Sequence, residues 1–77
     1  MTVNITINLF ASLKKFTPVS SASYQIKPGM SVKTLLEELY VPEDEVKLVF
    51  IDGVKHDLTA VLKGGERVGI FPAVGGG

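Results

Sequence analysis

The sequence predicts an α+β domain, a mixed β-sheet with one main helix packed on one face. Three observations lead there. Val3, Ile5, Ile7 and Leu9 alternate with Thr2, Asn4, Thr6 and Asn8, the period-two signature of a strand with one apolar face. Val32, Leu35, Leu36, Leu39 and Tyr40 recur at helical spacing and form the one extended helical stripe. Two later apolar runs, residues 46–51 and 67–71, are each preceded or followed by turn signals and are too short for helices.

Each element follows from local chemistry. After the first strand, Phe10 falls on the polar side of the alternation. Leu13 and Phe16 in "ASLKKF" are spaced for a short helical turn before Pro18. A second strand is expected through "SASYQIK", with Tyr24 and Ile26 on one face. Pro28 and Gly29 suit the two central positions of a type II turn, where proline presets φ and glycine accepts a positive one. Ser31 then caps the helix, with Met30 and Leu35 spaced as a hydrophobic staple. Lys33, Thr34, Glu37 and Glu38 cover the solvent side of the stripe, and Pro42 is expected to stop the helix.

The "VKLVFI" run is a strand with apolar side chains on both faces. Either Val49 and Ile51 or Leu48 and Phe50 point away from the helix. Asp52-Gly53 is a strong hairpin signal, and Val54-Lys55 begin the return strand. "LTAVL" is expected to be a turn or a short 3₁₀ segment, and "KGGE" a tight turn into "RVGIF". Pro72 is expected to end that strand by removing a ladder donor. The predicted order is β-β-α-β-β-β. A single helix covers a single sheet face, so apolar residues on the other face, Phe10 and Phe71 among them, stand as candidates for a docking patch.

Composition narrows the functional classes. At 77 residues the chain makes one small domain, of a size that buries only about 60% of its unfolded surface. It contains no cysteine, which excludes a disulfide brace, a thiolate metal site and a thiol nucleophile. Eight basic residues balance eight acidic ones, and only Lys14-Lys15 sets two cations side by side, so no nucleic-acid footprint is expected. The start lacks the pattern of a signal peptide and no stretch has the length of a membrane span, so a cytoplasmic protein without a membrane partner is expected.

The titratable residues form no recognisable active site. His56, the single histidine, has no nucleophile arranged with it and is expected to be a solvated hairpin residue. Asp52, Asp57 and the "EDE" run at residues 43–45 match no calcium loop, so no metal site is expected. "KGGE" lacks the phosphate-loop pattern. The remaining reactive group is the carboxylate after "FPAVGGG". Residues without Cβ atoms thread a narrow channel, approach phosphates closely and leave the acyl carbon unhindered. Residues 74–77 reach roughly 13 Å when extended, enough to enter the pocket of a docked partner.

Along nearly its whole length the sequence resembles the MoaD/ThiS group of ubiquitin-like sulfur carriers. The residues that carry the resemblance are "LFASLKKF", "SVKTLLEEL" and the closing "FIDGVKHDLTAVLKGGERVGIFPAVGGG", above all the terminal Gly76-Gly77. The resemblance implies a β-grasp (ubiquitin-like) domain over residues 1–74 and a flexible glycine-rich tail over residues 75–77. It implies that an E1-like activating enzyme, using ATP and magnesium, adenylates Gly77. A persulfide on a sulfur-donor protein then converts Gly77 to a thiocarboxylate that donates sulfur in cofactor biosynthesis. By the same resemblance the chain itself is expected to bind no cofactor and to be the substrate, not the enzyme. Gly77 and Gly76 are the expected reacting end, and Phe10, Phe71, Pro72, Val74 and Gly75 the expected partner contacts.

The acceptor that the resemblance implies is the large subunit of molybdopterin synthase or a thiazole synthase of thiamin biosynthesis. "LFASLKKFTP" and "IFPAV" incline to the molybdopterin branch, although Ala73 stands where that branch often has a second proline and Gly75 where it often has alanine. Two other classes share these features: a ubiquitin-like modifier joined to lysines through Gly77, and a non-catalytic interaction module on the same fold.

Overall fold

The computed structural model describes residues 2–73. β1 (Val3–Leu9) keeps the predicted alternation: Ile5, Ile7 and Leu9 are buried, while Asn4 and Asn8 are exposed. A 3₁₀ turn (Ala11–Phe16) follows, and it buries Leu13. Then come a second 3₁₀ turn (Ser21–Ser23), β2 (Tyr24–Ile26), β3 (Met30–Ser31) and α1 (Val32–Glu38). The chain continues through a 3₁₀ turn (Glu43–Glu45), β4 (Val46–Ile51), β5 (Val54–His56), β6 (Val61–Leu62) and β7 (Arg67–Pro72).

Five strands form one mixed sheet in the order β2-β1-β7-β4-β5, and β3 pairs with β6 in a separate two-stranded ladder. The β1–β7 pairing is parallel and the other pairings are antiparallel. β1 and β7 therefore end on the same side of the molecule. Ile5, Ile7, Val49, Val68 and Ile70 face α1, whose Val32, Leu35 and Leu36 are buried against them, and no polar or charged side chain is buried among the described residues.

The helix begins as its sequence directs. Ser31 Oγ accepts a 3.2 Å hydrogen bond from the Thr34 N–H. The Val32 and Lys33 N–H groups, which no helical turn could satisfy, donate to the Ala60 and Leu58 carbonyls at 2.9 and 3.0 Å. The loop before β6 is thus tied to the start of α1.

The helix ends earlier than Pro42. Tyr40 adopts φ 62°, its N–H donates to the Glu37 carbonyl, and the Val41 N–H donates to the Leu36 carbonyl. This is the paired-bond motif that normally places glycine in the left-handed position, with Val41 and Leu36 supplying its apolar contact. Tyr40 consequently leaves the helical stripe and is 84% exposed, contrary to the reading of the periodicity.

Three more readings are corrected. Ser21–Ser23 form a 3₁₀ turn, so the second strand is confined to Tyr24–Ile26. Part of "LTAVL" is β6, paired through Met30↔Leu62 and Ser31↔Val61. β7 does end at Pro72, but not for the expected reason: Pro72 itself still pairs with Val46, and the Ala73 N–H donates to the Glu45 carbonyl at 2.9 Å. Donors along a strand alternate sides. The Ile70 carbonyl meets β1 through Phe10, and Ala73 meets the Glu45 side, so the donor missing at Pro72 faces the side where β1 has already ended.

The turns match their sequence signals. Gly29 has φ 93° with the Met30 N–H donating to the Lys27 carbonyl, and Asp52 and Gly53 both have positive φ. In "KGGE" the Glu66 carboxylate accepts from the Lys63 and Gly64 N–H groups, both at 2.7 Å. No helix among the described residues is long and apolar enough to cross a membrane.

Candidate functional site

Strand parity leaves one sheet face without a helix. Val49 and Ile51 are buried, so Leu48 and Phe50 are the outward pair of β4, which settles the alternative left by the sequence. Across the middle of the open face run Asn8, Gly69, Phe50 and Lys55, paired in register from β1 through β7 and β4 to β5. One step towards the end of β7, Phe71 stands opposite Leu48.

Phe10 joins this group from the end of β1. Its N–H donates to the Ile70 carbonyl at 3.2 Å, and its carbonyl accepts from the Leu13 N–H at 3.0 Å. Ala11 then turns the chain away with φ 52°, a left-handed conformation that costs a non-glycine residue about 1–2 kcal/mol. The result is an extended Phe10 whose ring lies on that of Phe71, with centroids 4.2 Å apart and planes within 3°. Phe50 meets Phe71 edge-on at 5.5 Å and 83°. The sequence placed Phe10 and Phe71 on this face, and the structure brings them together. Phe10 remains 37% exposed, and neither ring belongs to the buried core.

Beside the contacting rings lies an open depression of about 340 Å³ lined by Asn8, Phe10, Phe50, Gly53, Arg67, Gly69 and Phe71. Beside it, Arg67 and Asp52 are joined by two hydrogen bonds: the Arg67 N–H donates to Asp52 Oδ1 at 3.0 Å, and the Asp52 N–H donates to the Arg67 carbonyl at 2.9 Å. Phe50, Arg67 and Gly69 were not candidate site residues in the sequence. Phe50 needed the parity of β4 to be known. Gly69 carried a usable signal: a glycine inside a strand costs roughly 0.5–1 kcal/mol relative to alanine, and nothing in "RVGIF" asks for a turn.

Among the described residues the other titratable groups gather into no reactive site. His56 is exposed on β5 opposite Val49. Asp57 Oδ1 accepts from the Thr59 hydroxyl at 2.6 Å and the Thr59 N–H at 3.2 Å, and these bonds hold its carboxyl below the ordinary value of 3.8. Glu43–Glu45 flank the place where the chain leaves the sheet, through the Glu45 carbonyl bond to Ala73. Among the described residues no group of three or more histidines and carboxylates is placed to hold a metal ion. Pro72 is half-buried at the end of β7. Val74, Gly75, Gly76 and Gly77, together with the expected flexible tail, lie outside the described residues.

Three solved structures share this architecture. The HVO 2177 protein of Haloferax volcanii superposes with a TM-score of 0.76 at 18% identity, covering 99% of this chain and 88% of the other. A putative molybdopterin converting factor, subunit 1, from Pyrococcus furiosus gives 0.64 at 24% identity, with 94% and 99% covered. Small archaeal modifier protein 1 of H. volcanii gives 0.67 at 19% identity, with the same coverage of 94% and 99%. At these identities the likeness establishes the fold, which is β-grasp and ubiquitin-like. A sequence comparison with curated proteins found no match. The sequence model of the Mut7-C ubiquitin family matches residues 2–75, nearly the whole chain, and the chain belongs to that family of ubiquitin-like domains.

Proposed function

We propose that this chain is a sulfur carrier that delivers its own C-terminus to partner enzymes. The observation that carries the reading is the position of the aromatic face. Phe71 lies in β7 two residues before Ala73, so a partner seated on Phe10, Phe50 and Phe71 also receives the segment that follows. A Gly77 carboxylate oxygen attacks the α-phosphorus of ATP in an E1-like enzyme, pyrophosphate leaves, and magnesium held by that enzyme offsets the phosphate charge. The outer sulfur of a donor protein's persulfide then attacks the acyl carbon and AMP leaves. A second thiol cleaves the sulfur–sulfur bond, forming a disulfide and releasing the thiocarboxylate.

This chain's part is docking and presentation, and the catalytic groups belong to the partners. The likeness to a putative molybdopterin converting factor subunit favours molybdopterin over thiamin thiazole as the destination of the sulfur. A second reading, conjugation of Gly77 to lysine amines, draws on the likeness to a small archaeal modifier protein. Both readings require a free carboxylate on Gly77 and share the adenylation step.

The test is deletion of Gly76 and Gly77 in the native host. Loss of the sulfur-containing cofactor supports the carrier. Normal cofactor levels with loss of covalent protein conjugates support the modifier, and no effect on either removes both in favour of a plain interaction module.

A further inference from the structure

We infer that Gly69 is a specificity-determining residue. Its missing side chain opens a notch for one apolar side chain of the enzyme that activates Gly77, with Arg67 placed to meet a carboxylate on the same partner segment. The partner's identity rests on the carrier reading above, while the notch rests on this chain alone. Gly69 lies inside β7, with Asn8 on one side and Phe50 on the other, a setting in which glycine weakens the sheet.

Neither ordinary reason for a glycine applies there. Its φ is not among the positive ones. A Cβ built on it would sit 3.5 Å from the Phe10 ring, 3.8 Å from the Phe71 ring and 4.0 Å from the Phe50 carbonyl oxygen, all ordinary contacts. Gly64 shows the contrast, since a Cβ there would lie 2.7 Å from that of Val3.

What the absent side chain does produce is a bare stretch of backbone in the lining of the depression, beside the Phe10 and Phe71 rings and Phe50. About 340 Å³ lies at the bottom of the roughly 300–1,000 Å³ range of small-molecule sites, and the notch is open to solvent, so it suits a single inserted side chain. The aromatic walls select an apolar group. Arg67 lines the notch and no carboxylate does, because Asp52 is turned to the Arg67 backbone. Charge complementarity therefore assigns the occupant to a partner segment that carries an acid beside its apolar anchor.

The experiment has a stability arm and a binding arm. Gly69→Ala should raise the melting temperature by about 2–8 °C, because the methyl fits and the chain loses a flexible residue. Destabilisation would show that the glycine is structural and overturn the proposal. In amide NMR titrations, N-acetylphenylalaninate should perturb the Gly69, Phe50 and Asn8 signals of the wild type, whereas N-acetylalaninate should not.

Gly69→Val should abolish that response, and Arg67→Ala should weaken it. Equal responses to both probes, or a response retained in Gly69→Val, would overturn the notch. Two outcomes would name the wrong occupant and likewise overturn the assignment: the same signals moving with protein concentration alone, which indicates a second copy, or stronger probe binding after deletion of residues 75–77, which indicates the chain's own tail.

In the native host, Gly69→Val should lower the fraction of Gly77 carrying sulfur by about tenfold with cooperative unfolding preserved. An undiminished fraction refutes the notch. Absence of sulfur on wild-type Gly77 refutes the carrier reading instead and leaves the titrations to decide the notch.

Discussion

Replacing Phe10 and Phe71 by alanine, singly and together, measures whether the exposed rings form one unit. Phe10 keeps 37% of its surface in water, and full burial of such a side chain contributes about 1.5–3 kcal/mol, so Phe10→Ala should cost about 1–2 kcal/mol. Phe71 is half-buried and touches two rings, which puts Phe71→Ala at about 2–3 kcal/mol. The stack at 4.2 Å and 3° is slightly closer than the ~4.5–7 Å of favoured aromatic pairs, whose coupling beyond area burial is about 0.5–1.5 kcal/mol, and the middle of that range is the expectation here. The double variant should therefore be more stable than the sum of the single losses by about 1 kcal/mol. Urea denaturation at unchanged slope reads these differences directly. Costs that add to within ~0.3 kcal/mol would mean that the rings do not stack in solution, and the preformed docking face would be refuted. All three variants should fold, because the buried cluster includes neither ring.

Gly64→Ala should lose at least ~2 kcal/mol, since it combines φ 128° with a Cβ 2.7 Å from Val3, against a total of about 4–12 kcal/mol for a chain of this length. Gly65→Ala, at φ 83° with nothing within 4 Å, is the milder control at about 1 kcal/mol, and equal losses in urea would refute the clash. Tyr40→Gly should stabilise the fold by about 1 kcal/mol, a rise of about 4–8 °C in Tm, by relieving a left-handed residue whose side chain is 84% exposed; an unchanged Tm would show no strain there. The Asp57 carboxyl should titrate below 3.8 and move back towards it in Thr59→Ala, read from its side-chain carbon by NMR. A folded value below the unfolded one means that its contribution is present above about pH 4 and lost as pH falls through the lowered value. An unshifted titration would remove the Thr59 bond as its cause.

The sequence was most legible where one local rule decided the outcome. The alternation of β1, the Ser31 cap and the Pro28-Gly29 and Asp52-Gly53 turns each need only neighbouring residues, and each forms as expected. Tyr40 shows the limit of periodicity: it completes the helical stripe by spacing, but the terminal motif rotates it into solvent. β3 and β6 are two residues each, too short for alternation to show, and they exist because the chains on either side bring Met30 and Leu62 together. Pro72 is the last residue of β7, as its type suggests, yet its missing donor breaks no ladder, because it faces a side where β1 has already ended.

The site was partly legible. Parity put Phe10 and Phe71 on the open face, but Phe50 and Arg67 reach it through pairings between distant strands. Gly69 becomes informative only when the space above it is known. The proposed reacting end, Gly76-Gly77, rests on the sequence alone.

Whether Gly77 carries sulfur is read from the intact mass of the protein isolated from its native host. A sulfur carrier should show a population heavier by the replacement of one oxygen with sulfur, with fragmentation placing the change on Gly77. That population should vanish when ATP-dependent activation is blocked by removing Gly77. A chain found only with an unmodified Gly77 carboxylate, or only joined through Gly77 to lysines of other proteins, would contradict the carrier reading.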